Sequence, residues 1–85
     1  MEVRIMENKV AVIAIIVENA DSVESLNGIL HEYSKYLIGR MGIPYHKKNI
    51  NIISIAVDAP QDTINALSGK IDKLDGISAQ VAFSK

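Results

Sequence analysis

Val10-Ala11-Val12-Ile13-Ala14-Ile15-Ile16-Val17 is the longest apolar run of the chain. Its eight residues are too few for a membrane-spanning helix, which takes about 20. Six of the eight are β-branched, stiff at χ1 and suited to a pleated backbone. The run reads as a buried strand. Residues 2–9 lead into it and are expected to form part of the same strand. Forty residues on, Ile50-Asn51-Ile52-Ile53-Ser54-Ile55-Ala56-Val57 repeats the pattern and gives a second buried strand.

Each buried strand is followed by helix signals. After the first, Asp21 and Glu24 have capping-box spacing. Val23, Leu26, Leu30, Tyr33 and Leu37 then recur at steps of three and four, so a helix is expected over 22–36. After the second, Asp58-Ala59-Pro60-Gln61 reads as a helix start, with proline tolerated in the first turn. Ile64, Leu67, Ile71 and Leu74 draw one face, and Asp75-Gly76 supplies a left-handed stop. Gly28 and Gly69 occupy matching places in the two helices and point to close helix–sheet approach.

Between the halves, residues 37–41 (LIGRM) read as a short strand. Gly42-Ile43-Pro44 is expected to break it, because proline cannot donate to a ladder. Residues 45–49 (YHKKN) read as a polar hairpin loop. Residues 77–83 (ISAQVAF) alternate strictly and form a half-buried strand. Two βαβ halves joined by a hairpin give βαββαβ. This is the α+β, ferredoxin-like arrangement, a four-stranded antiparallel sheet with two helices on one face, in a single domain over 1–85.

The face without helices raises a problem. Whichever way the strands turn, it carries at least five large aliphatics: Val10, Val12, Ile16, Ile50 and Ile52, or their alternates. Burying each is worth about 1.5–3 kcal/mol. A chain of 85 residues with 48% hydrophobic content and no cysteine has neither disulfides nor thiolate metal sites to stabilise it. The expectation is a homo-oligomer, a dimer or tetramer, joined through that face.

The net charge of -1 offers no footprint for nucleic acid. No membrane segment is visible, and the first residues lack a signal-peptide layout. A cytoplasmic protein is expected.

His31-Glu32-Tyr33-Ser34-Lys35-Tyr36-Leu37-Ile38-Gly39-Arg40-Met41-Gly42-Ile43-Pro44-Tyr45 is the most distinctive block. With Asn51-Ile52-Ile53-Ser54, Leu67-Ser68-Gly69-Lys70 and the terminal Ala82-Phe83-Ser84-Lys85, it resembles the iron-only hydrogenase system regulators, stand-alone bacterial proteins of about this length. The resemblance implies an ACT-like domain, similar in shape to the effector-binding domain of nickel-responsive repressors. It implies anaerobic hosts and a link to hydrogenase expression or maturation. Two places depart from the family pattern. Ser68 stands where threonine is common, and Ile71-Asp72 where Leu-Gly is common. The second removes a turn-forming glycine at the end of helix two.

Candidate sites follow. Gly39, Arg40, Met41, Gly42, Ile43, Pro44 and Tyr45 form the foremost candidate, as an interaction hairpin. Its glycines allow close approach, Arg40 presents a fork for carboxylate or phosphate, and Tyr45 can cap a ligand. The competing reading is an edge strand with a bulge, shaped for subunit contacts. Asn19 and Asp21 lie where ACT-like domains commonly hold effectors, although helix capping accounts for Asp21. His31 and His46 are weak metal candidates at a spacing that matches no ligand pattern. No catalytic residue is assigned, because no nucleophile motif, P-loop or acid–base pair stands out. The expected function is a non-enzymatic domain associated with the hydrogenase system that binds a small effector or a protein partner. A nickel- or iron-sensing module and a small enzyme or accessory factor of maturation are the alternatives. No cofactor is implied.

Overall fold

The computed structural model describes residues 7–85. Of the expected lead-in over residues 2–9, positions 2–6 lie outside the described residues. The chain runs β1 (Asn8–Val17), α1 (Val23–Glu32), β2 (Leu37–Tyr45), β3 (Ile50–Pro60), α2 (Gln61–Asp72) and β4 (Ile77–Phe83). Short 3-10 turns precede α1, precede β2 and close the β2–β3 hairpin. The four strands form one antiparallel sheet in the order β2-β3-β1-β4. This is the ferredoxin-like arrangement expected from the alternation of strand and helix.

Period-two patterning decides which side is buried. Ala11, Ile13, Ile15 and Val17 of β1 face the helices, as do Ile53, Ile55, Val57 and Ala59 of β3. Leu26 and Leu30 of α1 meet them, with Ile64, Leu67 and Ile71 of α2. The central pairing reflects the internal repeat. Ala14 pairs with Ser54, its own counterpart forty residues on, and Ile13↔Ile55 and Ile15↔Ile53 exchange places around it. A pseudo-two-fold axis therefore passes between Ala14 and Ser54, with the same kind of strand on either side.

Several local expectations are corrected. Asn19, not Asp21, makes the cap: its Oδ1 accepts from the Asp21 N–H at 3.0 Å and opens a 3-10 turn over Ala20–Ser22 before α1 begins. Helix one ends at Glu32 rather than 36, and a separate 3-10 turn carries Ser34–Tyr36. Strand two does not break at Gly42-Ile43-Pro44. It continues to Tyr45, with Pro44 opposite Asn51. An edge strand tolerates proline because half of its N–H groups face away from the ladder. A bulge lies between Leu37 and Gly39. Asp58-Ala59-Pro60 extends β3 instead of starting a helix, held by pairs with Val10, Lys9 and Asn8.

The glycines differ from expectation as well. A Cβ built on Gly28 or Gly69 meets nothing within 4 Å, so neither marks close helix–sheet approach. Gly76 is different. Its φ is +70°, and a Cβ there would fall 2.5 Å from the Asn19 Cβ. It lies four residues past the end of α2 and turns the chain into β4, so its role is in the connection rather than as a helix cap. At the departure from the family pattern, Asp72 closes α2. Its carboxylate accepts from the Ala79 N–H at 3.0 Å and ties the helix end to β4.

Candidate functional site

Strand β2 carries the block Gly39 to Tyr45 along the sheet edge, and the register divides it between two faces. Gly42 is opposite Ile53, Arg40 opposite Ile55 and Pro44 opposite Asn51, so these three lie on the helix side. Met41, Ile43 and Tyr45 are opposite Ser54, Ile52 and Ile50, on the open side. The block is therefore not one surface, and it is not separate from the open sheet face.

The open side is apolar and exposed. Val10, Val12 and Ile52 are about two-fifths exposed, and Met41 and Ile43 more than half. Ile16 and Ile50 lie on the same side, half-buried by their neighbours. Ile16, Ile52 and Ile43 line up across three strands as one aliphatic row. The five aliphatics expected from the sequence are all here, and β2 adds to them.

On the helix side, a groove of about 290 Å³ runs between α1 and β2, lined by Val23, Arg40, Gly42, Ile43, Pro44, Asn51 and Ile53. The Arg40 Nη2 donates to Asn27 Oδ1 of α1 at 3.0 Å, which holds the guanidinium against the helix. A smaller cavity of about 220 Å³ adjoins it at Pro44 and Asn51, with Tyr45 and His46 in its wall. Arg40 and Tyr45 thus line neighbouring hollows.

Asn19 and Asp21 line neither. The Asn19 side chain and the Asp21 N–H are used within the fold, and the Asp21 carboxylate is exposed. The Asn19 amide donates to Asp75 Oδ2 at 2.8 Å, the Ser22 hydroxyl donates to the Asp75 carbonyl at 2.7 Å, and the Glu18 N–H donates to the Gly76 carbonyl at 2.7 Å. These bonds lock the β1–α1 connection onto the α2–β4 connection. The four proposed ligand-binding residues do not converge on one point.

His31 sits in the last turn of α1 and His46 at the tip of the hairpin. Among the described residues, no group of three His, Cys, Asp or Glu side chains could hold a metal ion. No helix among them is long and apolar enough to cross a membrane.

One feature escaped the sequence reading. A hollow of about 430 Å³ lies between the end of α1 and the start of α2, walled by Tyr33, Tyr36, Glu32 and Asp62 among others. Lys70 Nζ reaches Glu32 Oε1 at 2.9 Å and sits 5.0 Å from the Tyr33 ring centroid. Lys35 sits 5.0 Å from the Tyr36 centroid. The HEYSKY half of the distinctive block therefore builds the contact between the helices. A Lys–Glu pair 38 residues apart leaves no mark in local spacing.

Known proteins bear on this arrangement. No curated protein matches the chain. The solved structure of the uncharacterized protein TM1266 from Thermotoga maritima superposes with a TM-score of 0.89, at 29% identity, over 93% of this chain and 100% of that one. A formyltetrahydrofolate deformylase from Pseudomonas putida KT2440 is similar at a TM-score of 0.57 and 13% identity, over 87% of this chain and 28% of that one, a likeness of fold alone. Residues 9–81 match the TM1266-like family, described as "Iron-only hydrogenase system regulator, putative". That span includes every element from β1 into β4 and the whole of the Gly39 to Tyr45 block, so the chain belongs to the TM1266-like family of iron-only hydrogenase system regulators.

Proposed function

We propose that this chain is a non-enzymatic regulatory module of the iron-only hydrogenase system, assembled as a homo-oligomer and taking a small effector or a protein partner beside strand β2. The observation that carries the reading is the position of β2. One strand at the sheet edge gives Met41 and Ile43 to an exposed apolar face and Arg40, Gly42 and Pro44 to a groove against α1. Subunit contact on one side and ligand contact on the other would then act on the same strand. Binding in the groove would be felt at the interface, the coupling a regulator needs.

The open face supports self-association through its chemistry. Soluble monomers rarely expose contiguous aliphatic patches of this kind. The groove supports binding rather than turnover. Its polar groups are a guanidinium and amides, which orient a ligand but do not exchange protons near neutral pH.

Two measurements test the reading. Sedimentation at micromolar concentration is expected to give a dimer or tetramer. Thermal unfolding in the presence of a panel of amino acids, organic acids, sugar phosphates and nucleotides is expected to show selective stabilisation, because a ligand that binds only the folded state raises its apparent stability. A stable monomer that no panel member stabilises would sink the proposal.

A further inference from the structure

We infer that the groove between α1 and β2 binds a small aliphatic carboxylate, its charged end on Arg40 and Asn51 and its hydrocarbon body over Gly42. This rests on the regulatory reading above and gives the effector a chemical class. The first support is Gly42. Glycine inside a strand weakens it, and such a residue often marks a place where a ligand or another backbone comes close. Nothing in the fold requires it here. Its φ is not in the left-handed region, and a Cβ would meet only the Ile53 Cγ1, at an ordinary 3.9 Å. What the missing side chain does is keep the floor of the groove open above Ile53.

The second support is Arg40. It faces the helix side, beside Gly42 and Pro44. One bond to Asn27 holds it, out of five N–H donors available. The ion pair found among the described residues is Lys70–Glu32, so Arg40 has no carboxylate partner there. A guanidinium fixed by one amide, with its fork otherwise unused, matches a carboxylate in geometry and charge. Asn51 shares that side of the sheet, is half-buried, and makes no side-chain hydrogen bond to another described residue.

Size and lining narrow the class. The groove's 290 Å³ equals about ten waters at about 30 Å³ each, the low end of ligand sites. That suits a short acid better than a nucleotide. Val23, Pro44 and Ile53 offer apolar contact, which a bare inorganic anion would not use. The larger hollow between the helices is a weaker candidate, because Lys70 and Lys35 are already engaged with Glu32 and the tyrosine rings.

The test is a titration of the ¹⁵N-labelled full chain followed by NMR, with three probes. Isovalerate carries charge and body, isopentanol the body alone, and inorganic phosphate charge alone. Saturable shifts are expected at the Gly42, Asn51 and Ile53 amides with isovalerate, with at least tenfold weaker binding of the other two. Arg40→Gln and Gly42→Val should each weaken isovalerate at least tenfold. Gly42→Ala, the milder change, should give an intermediate loss, and the wild-type probe series needs no variant. Phosphate or isopentanol binding as tightly as isovalerate would overturn the inference. So would full retention of binding by Arg40→Gln, or no shift at the groove amides. Isovalerate shifts confined to other residues would overturn the groove assignment and leave the regulatory reading standing. That reading falls instead if the chain is a stable monomer that no member of the wider panel stabilises.

Discussion

At the scale of single residues, the glycines fall into distinct classes that the sequence does not separate. Gly28 and Gly69 are exposed mid-helix positions with open space where a Cβ would go. Alanine there gains helix propensity and clashes with nothing. Each of Gly28→Ala and Gly69→Ala should stabilise the fold by about 1 kcal/mol. At fixed protein concentration, that should raise the calorimetric Tm by about 4–8 °C in a domain of this size. Gly76 is the opposite case. Its left-handed φ costs any other residue about 1–2 kcal/mol, and the added Cβ would push Asn19 off its bond with Asp75. Gly76→Ala should therefore lower the urea midpoint by about 1 M or more, with m at about 1–3 kcal/mol/M. An unchanged midpoint would show that the two connections are free to separate.

At the scale of elements, what was legible was what repeats. The β-branched runs over residues 10–17 and 50–57 identified both central strands but, being apolar on both faces, not which side of them is the core, and the three- and four-step spacing of Leu26, Leu30, Ile64, Leu67 and Ile71 identified both helix faces. What was not legible depends on partners distant in sequence. Pro44 looks like a strand breaker until β2 is known to lie at an edge. Asp21 looks like a cap until the chain is seen to fold back on Asp75 and Gly76, which makes Asn19 the better acceptor. The bulge after Leu37 decides which side Arg40 takes, and the edge strand with a bulge weighed for this block did not say where the bulge falls. The helix–helix contact was hidden for the same reason, and it has its own titration. The neighbouring Tyr33 side chain first, and then the Glu32 carboxylate that accepts from the Lys70 ammonium at 2.9 Å, raise its pKa above the ordinary 10.5. A raised lysine favours the folded state at all pH values below 10.5, and that contribution is lost as pH climbs through the raised value. Because the pair is exposed, its effect is small and screened by salt. Glu32→Gln should therefore shift the Lys70 titration downward, read by NMR at the side-chain Cε, with little change in stability at neutral pH. A Lys70 titration indifferent to Glu32 would mean the two helices are not joined through this pair.

At the scale of the whole molecule, the balance between faces decides the behaviour. One side of the sheet is covered by two helices, which bury β1 and β3 and leave the groove along β2 open. The other presents the row Ile16, Ile52 and Ile43, flanked by Val12 and Met41. Beside that row runs a lower strip, Ala14 and Ser54 one register step away and Ala56 and Gly39 the step after, with Met41 and Val12 at its sides. A second copy turned by a two-fold rotation would set its aliphatic row into that strip, the ridge-and-trough fit that an isologous interface needs. Ile52 is the centre of the row and makes no contribution to the helix-side core, so it separates assembly from folding. Ile52→Asp puts a charge where a subunit interface would desolvate it, at a cost of several kcal/mol to association. Within a lone subunit the same charge faces water. The expected outcome is a shift from oligomer to monomer in sedimentation at micromolar concentration, with the far-ultraviolet circular dichroism of the helices and strands unchanged. Ser54→Asp, one pair away on the low strip, should act in the same direction if the strip receives the partner's row. If Ile52→Asp sediments like the wild type, the subunits meet elsewhere, and the proposed coupling between groove and interface through β2 fails with it.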